Sequence, residues 1–460
     1  MEAATTPTTM TKAIPTLEVS DIQATVLRPR PSPYRGEYLI VRVDDALQGR
    51  EMLRRVIPHV APADNWWAPT LPGWLAIAFT FQGLKALGVP KASLDSFPQE
   101  FREGMAARAS ILNDLGNTAP SNWEYPFGTT DMHVALAVYA NDEQSLETVL
   151  ERARQSQQDL PKISVIYRLK FSELPGGRNP FGFKDGLHNP HVEGSGEDVH
   201  PGYGPAIKAG EFVMGYPDEL GETATSPEPE VLRRNGTFLA FRKFHTRVAA
   251  FRKYLREQAS SPEEEELIAA KMVGRWRSGA PLVLAPTSDD PSLGADLDRN
   301  NAFNYEDDMK GLKCPFSAHI RRVSPRDALR NEIVAVNLHQ FLRRGTNYGQ
   351  PLPEGELEED DAERGGVFLL IGAHLKQQFE FVQSQWVTNG DFINQGTEQD
   401  PMIGNSQVDR TFTIPKLPIR RRLHGLPQFV DVRGGEYCFM PGIRALKWLA
   451  SLATENTVTK

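Results

Sequence analysis

The stretch YLIVRVDDALQGREMLRRVIPHV (38–60) sets the reading of the fold. Its first six residues are rich in β-branched side chains and suit a strand, and DALQGREMLRRVIPHV (45–60) repeats apolar residues at the 3.6-residue spacing of an amphipathic helix. LAIAFT (75–80) supplies a second strand. After a helical FQGLKALG and a long insertion come strand MHVALAVYA (132–140), helix DEQSLETVLERARQ (142–155) and strand ISVIYRLKF (163–171). The order β-α-β-β-α-β is that of a ferredoxin-like split βαβ unit.

The order returns later, as an internal duplication would require. TFLAFRK (237–243) suits a strand, HTRVAAFRKYLREQA (245–259) a helix, VNLHQFLRR (336–344) an extended segment, GVFLLIGA (366–373) a strand, LKQQFEFVQSQW (375–386) a helix and EYCFM (436–440) a last strand. Two such units pack sheet against sheet with helices outside, which gives an α+β protein of tandem ferredoxin-like domains with antiparallel sheets. The division expected is a flexible Thr/Ala/Pro-rich lead-in over 1–20, an N-terminal domain over 21–205 and a C-terminal domain over 206–460.

Composition narrows the function classes. A chain of 460 residues with 40% hydrophobic and 24% charged residues is long enough to enclose a sizeable pocket and is not of disordered composition. The net charge of −8, with scattered Lys and Arg, offers no footprint for nucleic acid. Cys314 and Cys438 are the only cysteines, without CxxC spacing, and read as buried free thiols. The first residues show no signal-peptide pattern or twin arginine, and no run of 18 apolar residues occurs, so the expectation is a cytoplasmic protein without a membrane partner.

Three segments carry chemistry. NPFGFKDGLHNP (179–190) holds Asp185 in a GxxDG pattern between two prolines, a rigid loop whose glycines allow a planar ligand to approach the backbone. Alone, it fits an Asx turn as well. In KCPFSAHIRRVSPRD (313–327), His319 stands in what reads as a short extended stretch. An imidazole there suits haem iron, for which one histidine suffices because the porphyrin supplies the other four nitrogens; a histidine without metal is the plainer account. FLRRGTNYG (341–349) offers Arg343 and Arg344, equally suited to an anionic ligand or to a surface carboxylate.

Taken with HVEGSG (191–196), KAGEFVMGYPDE (208–219), RNGTFLAFRKFH (234–245), KMVGRWRSGAP (271–281) and QFEFVQSQW (378–386), these segments resemble, in order, motifs of the dye-decolorizing peroxidase family in its longer, advanced class. The resemblance spans roughly residues 20–450. It implies ferredoxin-like domains of the dimeric α+β barrel type, one haem b per chain held mainly by the C-terminal half, and reduction of hydrogen peroxide through a ferryl state at the expense of dyes, phenols or other small aromatic donors. Carried over by position, His319 is the iron ligand, Asp185 the acid/base and Arg343 the arginine facing the peroxide. Arg326 corresponds to the arginine that meets a haem propionate, and Asp400 in QDPMIG is the candidate partner of the His319 ring. The chain departs from the family at Leu187-His188-Asn189, where an Ile-Ser or similar pair is usual, and at Gly345, where some shorter relatives carry Asn. A haem-binding or haem-iron-releasing protein of the same fold is the alternative, and a chlorite-dismutase-like enzyme a further relative by fold.

Two more features invite readings. Trp386 and Tyr348, close in sequence to pocket elements, are candidate electron relays to bulky dyes, although core packing is the commoner use of such residues. The acidic run PEGELEEDDAE (353–363) suits a cationic substrate or manganous ion, or simply a solvated loop, and SPEEEE (261–266) suits the start of a helix. The sequence leaves monomer and homodimer open.

Overall fold

The computed structural model describes residues 17–65, 73–197, 200–329, 334–405 and 409–453. The first unit forms as its pattern predicts: β1 (Arg35–Val43), α1 (Ala46–Val56), β2 (Gly73–Phe79), β3 (Val134–Ala140), α2 (Glu143–Gln155) and β4 (Ile163–Ser172). Asp45 and Asp142 cap the two helices by accepting the N–H of Gln48 (2.9 Å) and of Ser145 (2.8 Å), which satisfies donors that a helix start leaves open. β1 and β3 are buried along nearly their whole length because each pairs on both edges and is covered on both faces.

The second unit comprises β5 (Thr237–Thr246), α3 (Val248–Gln258), β6 (Leu342–Tyr348), β7 (Gly365–Gly372) and, after a short two-stranded hairpin of β8 (Phe412–Ile414) and β9 (Arg421–Leu423), β10 (Val430–Met440). All pairing is antiparallel, in the order β4-β1-β3-β2-β10-β5-β7-β6. Each half therefore places its fourth strand beside its first, then its third, then its second. The halves join edge to edge through one register pair, Phe79 with Phe439, and their inner faces also meet. The Tyr38 hydroxyl of β1 lies 3.0 Å from Thr346 Oγ1 of β6, and its ring lies 5.4 Å from that of Phe241 in β5.

The sequence reading needs several corrections. VNLHQFLRR is not extended throughout: Val336–His339 is a 3₁₀ turn, and the strand starts only at Leu342. The helix expected over 375–386 is built of π turns, Lys376–Glu380 and Val382–Val387. His319 does not lie in an extended stretch but opens a one-turn helix, His319–Val323, which stops where Ser324 precedes Pro325 and is pushed out of helical geometry. The lead-in falls outside the described residues up to residue 16, but residues 17–20 are fixed. Leu17 is buried, and Glu18 pairs with Arg234 and Arg444.

Among the described residues no helix is long and apolar enough to cross a membrane. Both cysteines are free and buried, as expected.

Candidate active site

Two insertions between the repeated elements carry the site. The loop after β4 brings Asp185, and the long excursion between α3 and β6 brings His319, while Arg343 is the second residue of β6. All three line both of two adjoining cavities, with empty volumes of about 1100 and 1210 Å³ including the space at their mouths. The larger is mostly walled by apolar side chains such as Phe183, Val273, Phe368, Leu370 and Met402.

His319 presents one ring edge to the protein and the other to this space. Its Nδ1 lies 2.8 Å from Asp400 Oδ2, while the other oxygen of Asp400 accepts N–H bonds from Met402 (2.8 Å) and Ile403 (3.0 Å). Burial opposes the charge on Asp400, yet the His319 ring, these N–H groups and the Arg322 cation outweigh it and hold the carboxyl below its usual range. An anionic partner at Nδ1 fixes the ring's orientation and leaves Nε2 for a metal.

Asp185 accepts from Gly186 N–H (2.8 Å) and pairs with Arg30 (2.8 Å). Gly186 has a φ of +73°, a left-handed conformation that favours glycine. The departure from the family at Leu187-His188-Asn189 has a structural use, because Asn189 Oδ1 accepts the backbone N–H of Arg343 (2.7 Å) and the His188 carbonyl accepts from its guanidinium. At Gly345 a Cβ would meet the Phe368 ring at 3.0 Å, so an asparagine there would crowd the cavity wall.

Arg275 and Arg326 border the more polar cavity beside Arg343. Arg326 donates to the carbonyls of Asn301 (3.0 Å) and Phe303 (2.8 Å), and Arg275 to those of Gly279 and Asn300 and to Asn301 Oδ1. Among the described residues, the hydrogen-bond partners of the Arg275, Arg326 and Arg343 guanidinium groups are neutral oxygens. Burial, reinforced by the neighbouring Arg326 and Arg343 cations, lowers the Arg275 pKa to about 10. Burial and the same three arginines push His188 well below its usual value, and its buried Nδ1 has no hydrogen-bond partner among the described residues. Such a surplus of positive charge suits an anionic ligand edge. An apolar space with one imidazole nitrogen at a wall and several arginines at its edge fits a haem with its carboxylates.

Other readings fare differently. Trp386 and Tyr348 are each only 3% exposed, so neither is a surface relay. Trp386 packs edge-on against Phe381 and His339, and the Tyr348 hydroxyl donates to the Phe244 carbonyl. The acidic run is tied down rather than gathered around a cation: Glu359 accepts the N–H of Ala249 at the start of α3, and Asp360 pairs with Arg364. Among the described residues no three His, Cys, Asp or Glu side chains are grouped to hold a metal ion. Ser261 caps the helix Pro262–Val273, as its sequence suggests. Arg30 and Arg275 are pocket residues that the sequence did not disclose, although Arg275 lies in the motif segment 271–281; His188 and Asn189 lie in the GxxDG segment, where they stood out only as a departure from the family.

The chain is similar to known proteins along almost its full length. Residues 21–172 match the family model described as the DyP dimeric alpha+beta barrel domain. A dye-decolorizing peroxidase of Exidia glandulosa is 33% identical, with 96% of this chain and 88% of that protein covered. The solved fungal DyP-type peroxidase of Auricularia auricula-judae superposes with a TM-score of 0.83 at 31% identity, covering 95% of this chain and all of the other. A dye-decolorizing peroxidase solved in complex with 2,6-dimethoxyphenol gives a TM-score of 0.84 at 28% identity, with the same coverage.

Proposed function

Because the chain belongs to the dye-decolorizing peroxidase family, we propose that this peroxidase works with one haem b per chain, reducing hydrogen peroxide with electrons from dyes and small phenols. One observation carries the reading: His319, backed by buried Asp400, lines the same cavity as Asp185 and Arg343. His319 would hold the iron through Nε2, and Arg326 and Arg275 the propionates. Bound haem supplies a centre that accepts an oxygen atom from peroxide and stores two oxidising equivalents.

Asp185 takes the proton from one peroxide oxygen and returns it to the other, so that water rather than hydroxide departs. Arg343, kept in place by Asn189 and the His188 carbonyl, stabilises the negative charge that develops as the O–O bond breaks. The apolar wall of the larger cavity suits aromatic donors, and a solved relative binds 2,6-dimethoxyphenol. A haem-iron-releasing protein would need His319 but has no use for Asp185 and Arg343 together.

The test is turnover of an anthraquinone dye by the haem-loaded protein with peroxide. The wild type should decolorize it, and Asp185→Asn should be slower by about 10²-fold or more. Release of free iron without dye turnover would support the alternative instead.

A further inference from the structure

Arg30 lies in the segment that enters β1, far from the motifs of the site, yet it lines the same cavity as Asp185 and Arg343. Its side chain is only 18% exposed. One edge of its guanidinium lies 2.8 Å from Asp185 Oδ2, and the other donates to the Gly345 carbonyl in β6. Its carbon sits 4.5 Å above the Tyr34 ring. The Tyr34 hydroxyl in turn accepts the backbone N–H of Asn347 (3.0 Å). Arg30 is thus tied to β6 at Gly345 and, through Tyr34, at Asn347, on the strand that carries Arg343. Among the described residues, the only other hydrogen bond to the Asp185 carboxylate is from the N–H of the next residue, Gly186.

We infer that Arg30 is a positioning residue for peroxide cleavage, fixing the Asp185 carboxylate in orientation and in distance from Arg343. The inference rests on the relay proposed above for Asp185. A proton relay must reach both peroxide oxygens, and misplacing such a group by 1 Å costs about 10²-fold in rate. A planar guanidinium can grip a carboxylate and a carbonyl at once, with two sets of donors in fixed geometry. Lysine, a single point charge, reaches one partner well but cannot span both, so it should substitute only in part.

The experiment compares the haem-loaded full chain with Arg30→Met, Arg30→Lys, Asp185→Asn and the Arg30→Met/Asp185→Asn double variant. The readouts are the second-order rate with hydrogen peroxide, followed by absorbance, and the thermal midpoint of the haem-free protein. Arg30→Met should slow the reaction roughly 10- to 100-fold, with Arg30→Lys in between. In the Asp185→Asn background, Arg30→Met should change the rate less than about twofold, and the shifts in midpoint should be non-additive, as for groups in contact. Equal slowing in both backgrounds, or a wild-type rate in Arg30→Met beside a slow Asp185→Asn, overturns the inference alone. A wild-type rate in Asp185→Asn overturns the relay and the inference with it. Arg30→Gln takes the place of Arg30→Met if the latter does not fold.

Discussion

His319 Nδ1 lies 2.8 Å from Oδ2 of Asp400, a carboxylate with no exposure to solvent. The contact places a negative charge directly behind the proposed iron ligand and makes the imidazole a stronger donor. Asp400→Asn removes the charge but keeps the shape. The variant should retain haem, raise the iron's midpoint potential in a redox titration, and lose about 10- to 100-fold in activity. An unchanged potential rules out this role for Asp400.

Arg242 of β5 and Asp114 form a second buried pair, with two hydrogen bonds and side-chain exposures of 1% and 3%. Removing one partner leaves a buried charge without compensation, so Arg242→Met should destabilise the fold by about 3–5 kcal/mol in denaturant unfolding. Replacing both residues with apolar ones should recover most of that loss. A single variant as stable as the wild type would mean that the pair adds nothing.

Glu436 of β10 gives stability a pH dependence. Burial pushes its carboxyl up to about 7, against the N–H bonds it accepts from Met105 and Tyr437. The unfolded chain loses this proton near pH 4.3 and the folded chain only near 7, so the folded state holds more protons between those values. Its contribution is therefore complete below the unfolded value and falls as pH rises toward 7, by up to about 4 kcal/mol. Melting curves from pH 5 to 8 should show Glu436→Gln gaining on the wild type as pH rises. Parallel curves would contradict this.

The first unit was legible because its signals are local. Strands β1 and β3 are apolar-rich stretches with β-branched and tyrosine residues, and α1 and α2 each follow an aspartate that caps them. The second unit blurs where signals are short: His319 opens a helix of only five residues, too few for a periodicity to appear. Packing also overrides pattern, as at Val336–His339, where apolar residues alternate with polar ones but the chain turns. Site residues far apart in sequence were legible only where a motif tied them to a family. Asp400, 81 residues from His319 and outside those motifs, was only a candidate for the acid behind the ring until the fold placed the two in contact. Arg30, in the proline-rich RPRPSPY and 155 residues from Asp185, has no pattern linking it to the loop it grips.

The grip of His319 on haem iron is tested most directly by titrating haem into the haem-free wild type and His319→Ala while recording the Soret band. The wild type should saturate at one haem per chain with the spectrum of a histidine-ligated ferric haem. His319→Ala should lose that spectrum, and added imidazole should restore it. A His319→Ala variant that binds haem with the wild-type spectrum and affinity would contradict the assignment.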